Sequence, residues 1–96
     1  MSIGDTIISL YTLPGSTTLN IQPDTGVEWE IHNIYAGATC SLSITDGSTS
    51  LQIGTLSSSS PVEKAKYEIT NSVYLQLENT VGSTTLVSYM GVVVKE

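Results

Sequence analysis

Apolar and polar side chains alternate with a period of two along nearly the whole chain. In Val27-Glu28-Trp29-Glu30-Ile31-His32, Val27, Trp29 and Ile31 fall on one face and Glu28, Glu30 and His32 on the other. That is the pattern of a strand with one side in a core and the other in water. No window of about 11–18 residues keeps an apolar stripe at helical spacing. The chain therefore reads as all-β, an antiparallel β-sandwich or small barrel.

About eight strands are expected. Residues 6–13 end at Pro14-Gly15, and residues 17–22 end at Pro23-Asp24-Thr25-Gly26, both turn signals. Residues 27–35 form the tryptophan strand. Residues 39–45 and 48–53 flank Asp46-Gly47, which predicts a two-residue type I′ hairpin because that turn needs positive φ at both central positions. Residues 61–70, 72–79 and 84–95 complete the set. The run Ser57-Ser58-Ser59-Ser60 before Pro61 reads as a loop, since serine favours local side-chain bonds and proline blocks ladder pairing. No internal repeat is visible, so residues 1–96 are expected to form a single domain.

The terminal strands differ from the rest. Residues 6–13 carry Ile7, Tyr11 and Leu13 on one track and Ile8 and Leu10 on the other; residues 84–95 carry Val87, Tyr89 and Val93 against Leu86, Met90, Val92 and Val94. A strand with one wet face alternates cleanly, so the second apolar face calls for cover, either from within the domain or from another copy. With no Phe, one Trp and five Tyr, the core must be mostly aliphatic and thin. Burying more surface against a partner would stabilise it, and a homo-oligomer is the expectation.

Nine acidic residues stand against Lys64, Lys66 and Lys95, with no arginine, for a net charge of −6. Phosphate neutralisation needs clustered cations, so nucleic acid and anionic membranes are poor partners. The first residues show neither a basic segment nor an apolar run, so the expectation is of a chain made and folded in a cytoplasm without a signal peptide. Cys40, the single cysteine, shares a face with Leu42 and Ile44 and reads as a core residue rather than a reactive thiol.

Candidate chemistry is sparse. Asp24-Thr25-Gly26 spells the aspartic-protease tripeptide, but Gln22-Pro23 before it makes the stretch good turn chemistry. His32 projects with Glu28 and Glu30, yet alternate positions on one strand do not close a metal shell. Glu28, Glu30, Glu68 and Glu78 read as solvated positions, and Asp24 and Asp46 are single carboxylates in tight turns rather than a calcium site. Tyr74, Gln76 and Glu78 form an outward track, with Tyr35 and Tyr67 as additional aromatics, that suits a carbohydrate-binding module. The residues thus predict no enzyme, no catalytic or metal-ligating set and no cofactor.

Several segments carry a family resemblance: Leu10-Tyr11-Thr12-Leu13-Pro14-Gly15, Trp29-Glu30-Ile31-His32-Asn33-Ile34, Ser43-Ile44-Thr45-Asp46-Gly47, residues 69–79, and Ser88-Tyr89-Met90-Gly91-Val92-Val93. Together they resemble small β-sandwich structural proteins of tailed bacteriophages, of the capsid cement or decoration type. The alanine that this family places between Pro and Gly in its opening motif is missing here. The resemblance implies a jelly roll on the capsid surface of a virion, trimeric, stabilising the head by binding the major capsid protein lattice. The alternative is a carbohydrate- or receptor-binding module of a fibre or spike. Under these readings Ile3, Ile8, Leu10, Tyr74, Tyr89 and Met90 are the expected interface residues.

Overall fold

In the computed structural model, residues 2–57 and 61–96 are described, with the backbone alone at positions 64 and 65. The predicted serine loop falls largely on residues 58–60, outside the described residues. The strands are β1 (Thr6–Leu13), β2 (Thr18–Ile21), β3 (Glu28–Ala36), β4 (Cys40–Thr45), β5 (Ser50–Leu56), β6 (Val62–Thr70), β7 (Tyr74–Asn79) and β8 (Thr85–Lys95). They form two four-stranded sheets in the orders β1-β8-β3-β6 and β2-β7-β4-β5, antiparallel throughout.

These orders describe one long hairpin rolled up. β4 pairs with β5, β3 with β6, β2 with β7 and β1 with β8, as in a hairpin whose tip is the β4–β5 turn. Rolling adds the β3–β8 and β4–β7 contacts and divides the pairs between two sheets. The result is the jelly roll, a β-sandwich of the expected class. Between the sheets lies a layer of Ile21, Ile31, Ile34, Leu42, Leu56, Ile69, Leu75, Leu77, Val87 and Val93, each at most 1% exposed. Burial of each such side chain contributes about 1.5–3 kcal/mol.

The inward track of β3 changes phase midway. Trp29 and Ile31 point in, and so do Ile34 and Ala36, an offset that simple alternation cannot produce. A bulge absorbs it: Ile31 pairs with Gly91 and Asn33 with Met90, which leaves His32 as the extra residue against β8. Gly91 is the complement of that bulge. A β-carbon there would collide with the Glu30 carbonyl and approach the Ile31 backbone at 3.0 Å, so the closeness of β3 to β8 requires glycine.

At the β4–β5 turn the structure departs from the expected type I′ hairpin centred on Asp46-Gly47. Thr45 pairs with Ser50, and the Asp46 amide donates to the Thr49 carbonyl at 3.2 Å, so the turn is centred on Gly47 and Ser48. Gly47 has φ of 94°, and Ser48 is not in the positive region, so the type I′ requirement is not met. The cause is the Asp46 side chain. Its Oδ1 accepts the amides of Ser48 at 2.9 Å and Thr49 at 2.7 Å, which takes both out of the ladder and starts β5 two residues later than expected. Those amides hold the Asp46 carboxyl below its ordinary pKa.

Asn79 fastens the opposite end. Its side chain is fully buried. Nδ2 donates to the carbonyls of Leu13 at 3.1 Å, Pro14 at 3.3 Å and Ser83 at 2.9 Å, and Oδ1 accepts the Val81 amide at 3.0 Å. One side chain thereby satisfies the backbone where β1 ends and where the β7–β8 connection turns.

Two substitutions test this framework by urea denaturation, followed by the emission of the sole tryptophan, Trp29. Gly91→Ala is expected to cost about 1–3 kcal/mol through overpacking against Glu30. Asn79→Ala is expected to cost about 2–3 kcal/mol by leaving buried backbone groups unpaired. Unchanged midpoints would show that neither contact constrains the fold.

Candidate interaction surface

The outer face of the β1-β8-β3-β6 sheet has two characters. On β1 and β8 alternate residues point away from the core, and on these strands they are largely apolar, with Thr6, Thr12 and Ser88 among them. Ile8 is 69%, Leu10 72% and Leu86 60% exposed. Ile8 lies opposite the half-buried Met90, Thr12 opposite Leu86, and Thr6 opposite the half-buried Val92. The Gly4 amide donates to the Val93 carbonyl at 2.8 Å and the Val93 amide to the Asp5 carbonyl at 3.0 Å, which ties the N-terminal segment to β8 and sets the exposed Ile3 beside this patch. Nothing among the described residues covers it.

Across the sheet the same face turns acidic. Glu30 on β3 lies directly opposite Glu68 on β6, and like charges in that position destabilise a sheet. His32 Nε2 and Glu30 Oε1 are 2.6 Å apart, and Lys95 Nζ approaches Glu28 Oε2 at 3.5 Å. Glu68 is exposed. Among the described residues no three His, Cys, Asp or Glu side chains converge in a way that would hold a metal.

A second apolar feature, unforeseen from the sequence, lies at the tip of the rolled hairpin. Ile44, Leu51 and Val73 form the floor of an open depression of about 260 Å³, rimmed by Thr45, Asp46, Thr49 and Ser50. Leu51 faces inward beside Ile44 but stands on an edge strand at the sandwich end, and it is 64% exposed. Its apolar character was readable. Its lack of cover was not, because that depends on where the other sheet stops.

The predicted site residues are dispersed. Ile3, Ile8, Leu10 and Met90 fall together on the β1–β8 side. Tyr74 lies on the other sheet, its hydroxyl 3.8 Å from where a β-carbon on Gly47 would stand. Tyr89 requires correction as an interface residue: it is 5% exposed and packs inside, its ring 6.2 Å from Tyr11 and 6.4 Å from Trp29. Burial pushes its phenol pKa up. Leu86 was readable only as part of an apolar track.

The other candidates are placed as follows. Asp24 is exposed in a turn whose carbonyl accepts the Val27 amide at 3.0 Å. Cys40 is fully buried, and desolvation raises its thiol pKa, which makes it a core residue. On β7, Gln76 Nε2 donates to Asn20 Oδ1 at 3.0 Å. Tyr74 lies on that sheet, Tyr35 on the other, and Tyr67 packs against the core, so the tyrosines share no platform for a sugar ring.

No protein-family model matches the chain, and no curated protein does. Among solved structures it is similar to the nucleoplasmin-like N-terminal domain of Drosophila FKBP39, with a TM-score of 0.62 and 7% identity over 92% of this chain and 89% of that one. It is also similar to the core of Drosophila NLP, whose crystal structure is described in terms of pentamer formation and histone binding. There the TM-score is 0.54 and the identity 12%, over 88% of this chain and 95% of that one. Identities this low show a shared fold and nothing finer. The likeness to nucleoplasmin-like domains overturns the phage capsid cement assignment and the carbohydrate- or receptor-binding alternative, and nothing in it supports a trimer or a major capsid protein partner. The segments behind that resemblance are strand and turn patterns that any eight-stranded jelly roll can carry, whatever it binds.

Proposed function

We propose that this chain is a non-catalytic subunit of a nucleoplasmin-like homo-oligomer that binds histones or similarly basic proteins. The observation that carries the reading is the likeness of fold, across about nine-tenths of the chain, to two nucleoplasmin-like domains, one of them described as pentameric and histone-binding. The surface supports it. A net charge of −6 without arginine favours cationic partners over nucleic acid. The exposed aliphatics of β1 and β8 supply a contact between copies, and the Glu30–Glu68 stripe remains free for a basic chain. Binding of this kind needs complementary charge and no reacting group.

Light scattering of the purified protein is expected to give a mass near five times the 10.2 kDa chain. Core histones are expected to bind it, with affinity falling at least about tenfold between 0.1 and 0.5 M NaCl as screening removes the electrostatic attraction. A monomer that ignores histones at low salt would overturn the reading. Glu68→Lys separates function from folding. It replaces a like-charge pair by an attractive one, so stability is expected to rise by about 0.5 kcal/mol in thermal unfolding, while histone affinity falls several-fold.

A further inference from the structure

We propose that copies of this chain associate head to tail, the β1–β8 face of one seating in the depression at the β4–β5 tip of the next. This deepens the oligomeric reading above and rests on it. Apart from Tyr11, which lies on the inward track of β1 and stacks on Tyr89, the exposed large hydrophobics among the described residues fall into two groups: Ile3, Ile8, Leu10 and Leu86 on one side, and Leu51 and Val73 on the other. The first group belongs to β1 and its neighbour β8. The second stands on β5 and in the β6–β7 connection. β1 ends one sheet and β5 ends the other, and β6, the strand that approaches β5, is the member of its sheet farthest from β1. The two groups therefore occupy opposite edges of the sandwich.

A two-fold dimer brings one patch against itself and leaves the other wet on both copies. A heterologous contact consumes both at once, and repeated by rotation it closes a ring. Ile8, Leu10 and Leu86 project from the outer sheet face, whereas Ile44, Leu51 and Val73 line a shallow, open depression of about 260 Å³ whose surface is almost wholly apolar. The projecting side chains carry no charge, so at this point two copies of net charge −6 can approach.

Complementation of variants tests the arrangement. Leu10→Asp spoils the projecting face and Leu51→Asp the hollow; both positions are more than 60% exposed, and circular dichroism checks that each variant folds. Each alone is expected to be a monomer by light scattering. Their equimolar mixture retains one intact face and one intact hollow, and is expected to give a complex of twice the chain mass that grows no further. Ile8→Asp with Val73→Asp repeats the test. An unmodified protein that is itself monomeric overturns the oligomeric reading with everything resting on it. An oligomeric protein whose Leu51→Asp and Val73→Asp variants keep full mass, or whose mixed variants stay monomeric, overturns only the head-to-tail contact.

Discussion

The constraint on which this molecule depends is the capacity of one aliphatic layer between two four-stranded sheets. A jelly roll of 96 residues has room for roughly one inward side chain in two along each strand, and Ile, Leu and Val fill most of those places, with Trp29, Ala36, Cys40 and Tyr89 among the rest. The chain carries more aliphatics than the layer holds. The remainder appears as Ile8, Leu10 and Leu86 on one edge and Leu51 and Val73 on the other. Apolar surface of that kind is what oligomers cover, and in the proposed assembly its division between two edges gives direction to the association.

Two polar devices allow the layer to close. The His32 bulge lets β3 deliver Trp29, Ile31, Ile34 and Ala36 to the same side, and Gly91 allows β8 to come close enough to pair with it. Asn79 supplies the hydrogen bonds that strands lose where they end inside the protein. His32, the extra residue of the bulge, also stands beside Glu30 on the outer face, as its spacing of two from Glu30 requires.

The Glu30–Glu68 pairing works against the sheet that carries it. Asp46 shows the contrast: its carboxylate is held by the Ser48 and Thr49 amides and organises a turn. In the proposed role a cationic chain faces this pair, of which Glu30 already contacts His32 within the domain.

The sequence by itself determined the all-β class and the number of strands, because side-chain alternation reports directly which residues one sheet face can hide. Most strand ends were legible from Pro, Gly and Asp. The surplus of apolar residues on β1 and β8 was legible too, and with it Ile3, Ile8 and Leu10. What only the tertiary structure decided is where that surplus stands. Tyr89 and Met90 are adjacent in sequence, yet the pleat turns Tyr89 inward against Trp29 and Met90 outward opposite Ile8. Glu30 and Glu68 meet, and Leu51 loses its cover, only once the hairpin has rolled into two sheets. Alternation records a residue's side of its own strand; which strands become neighbours is settled by long-range pairing that no local pattern encodes.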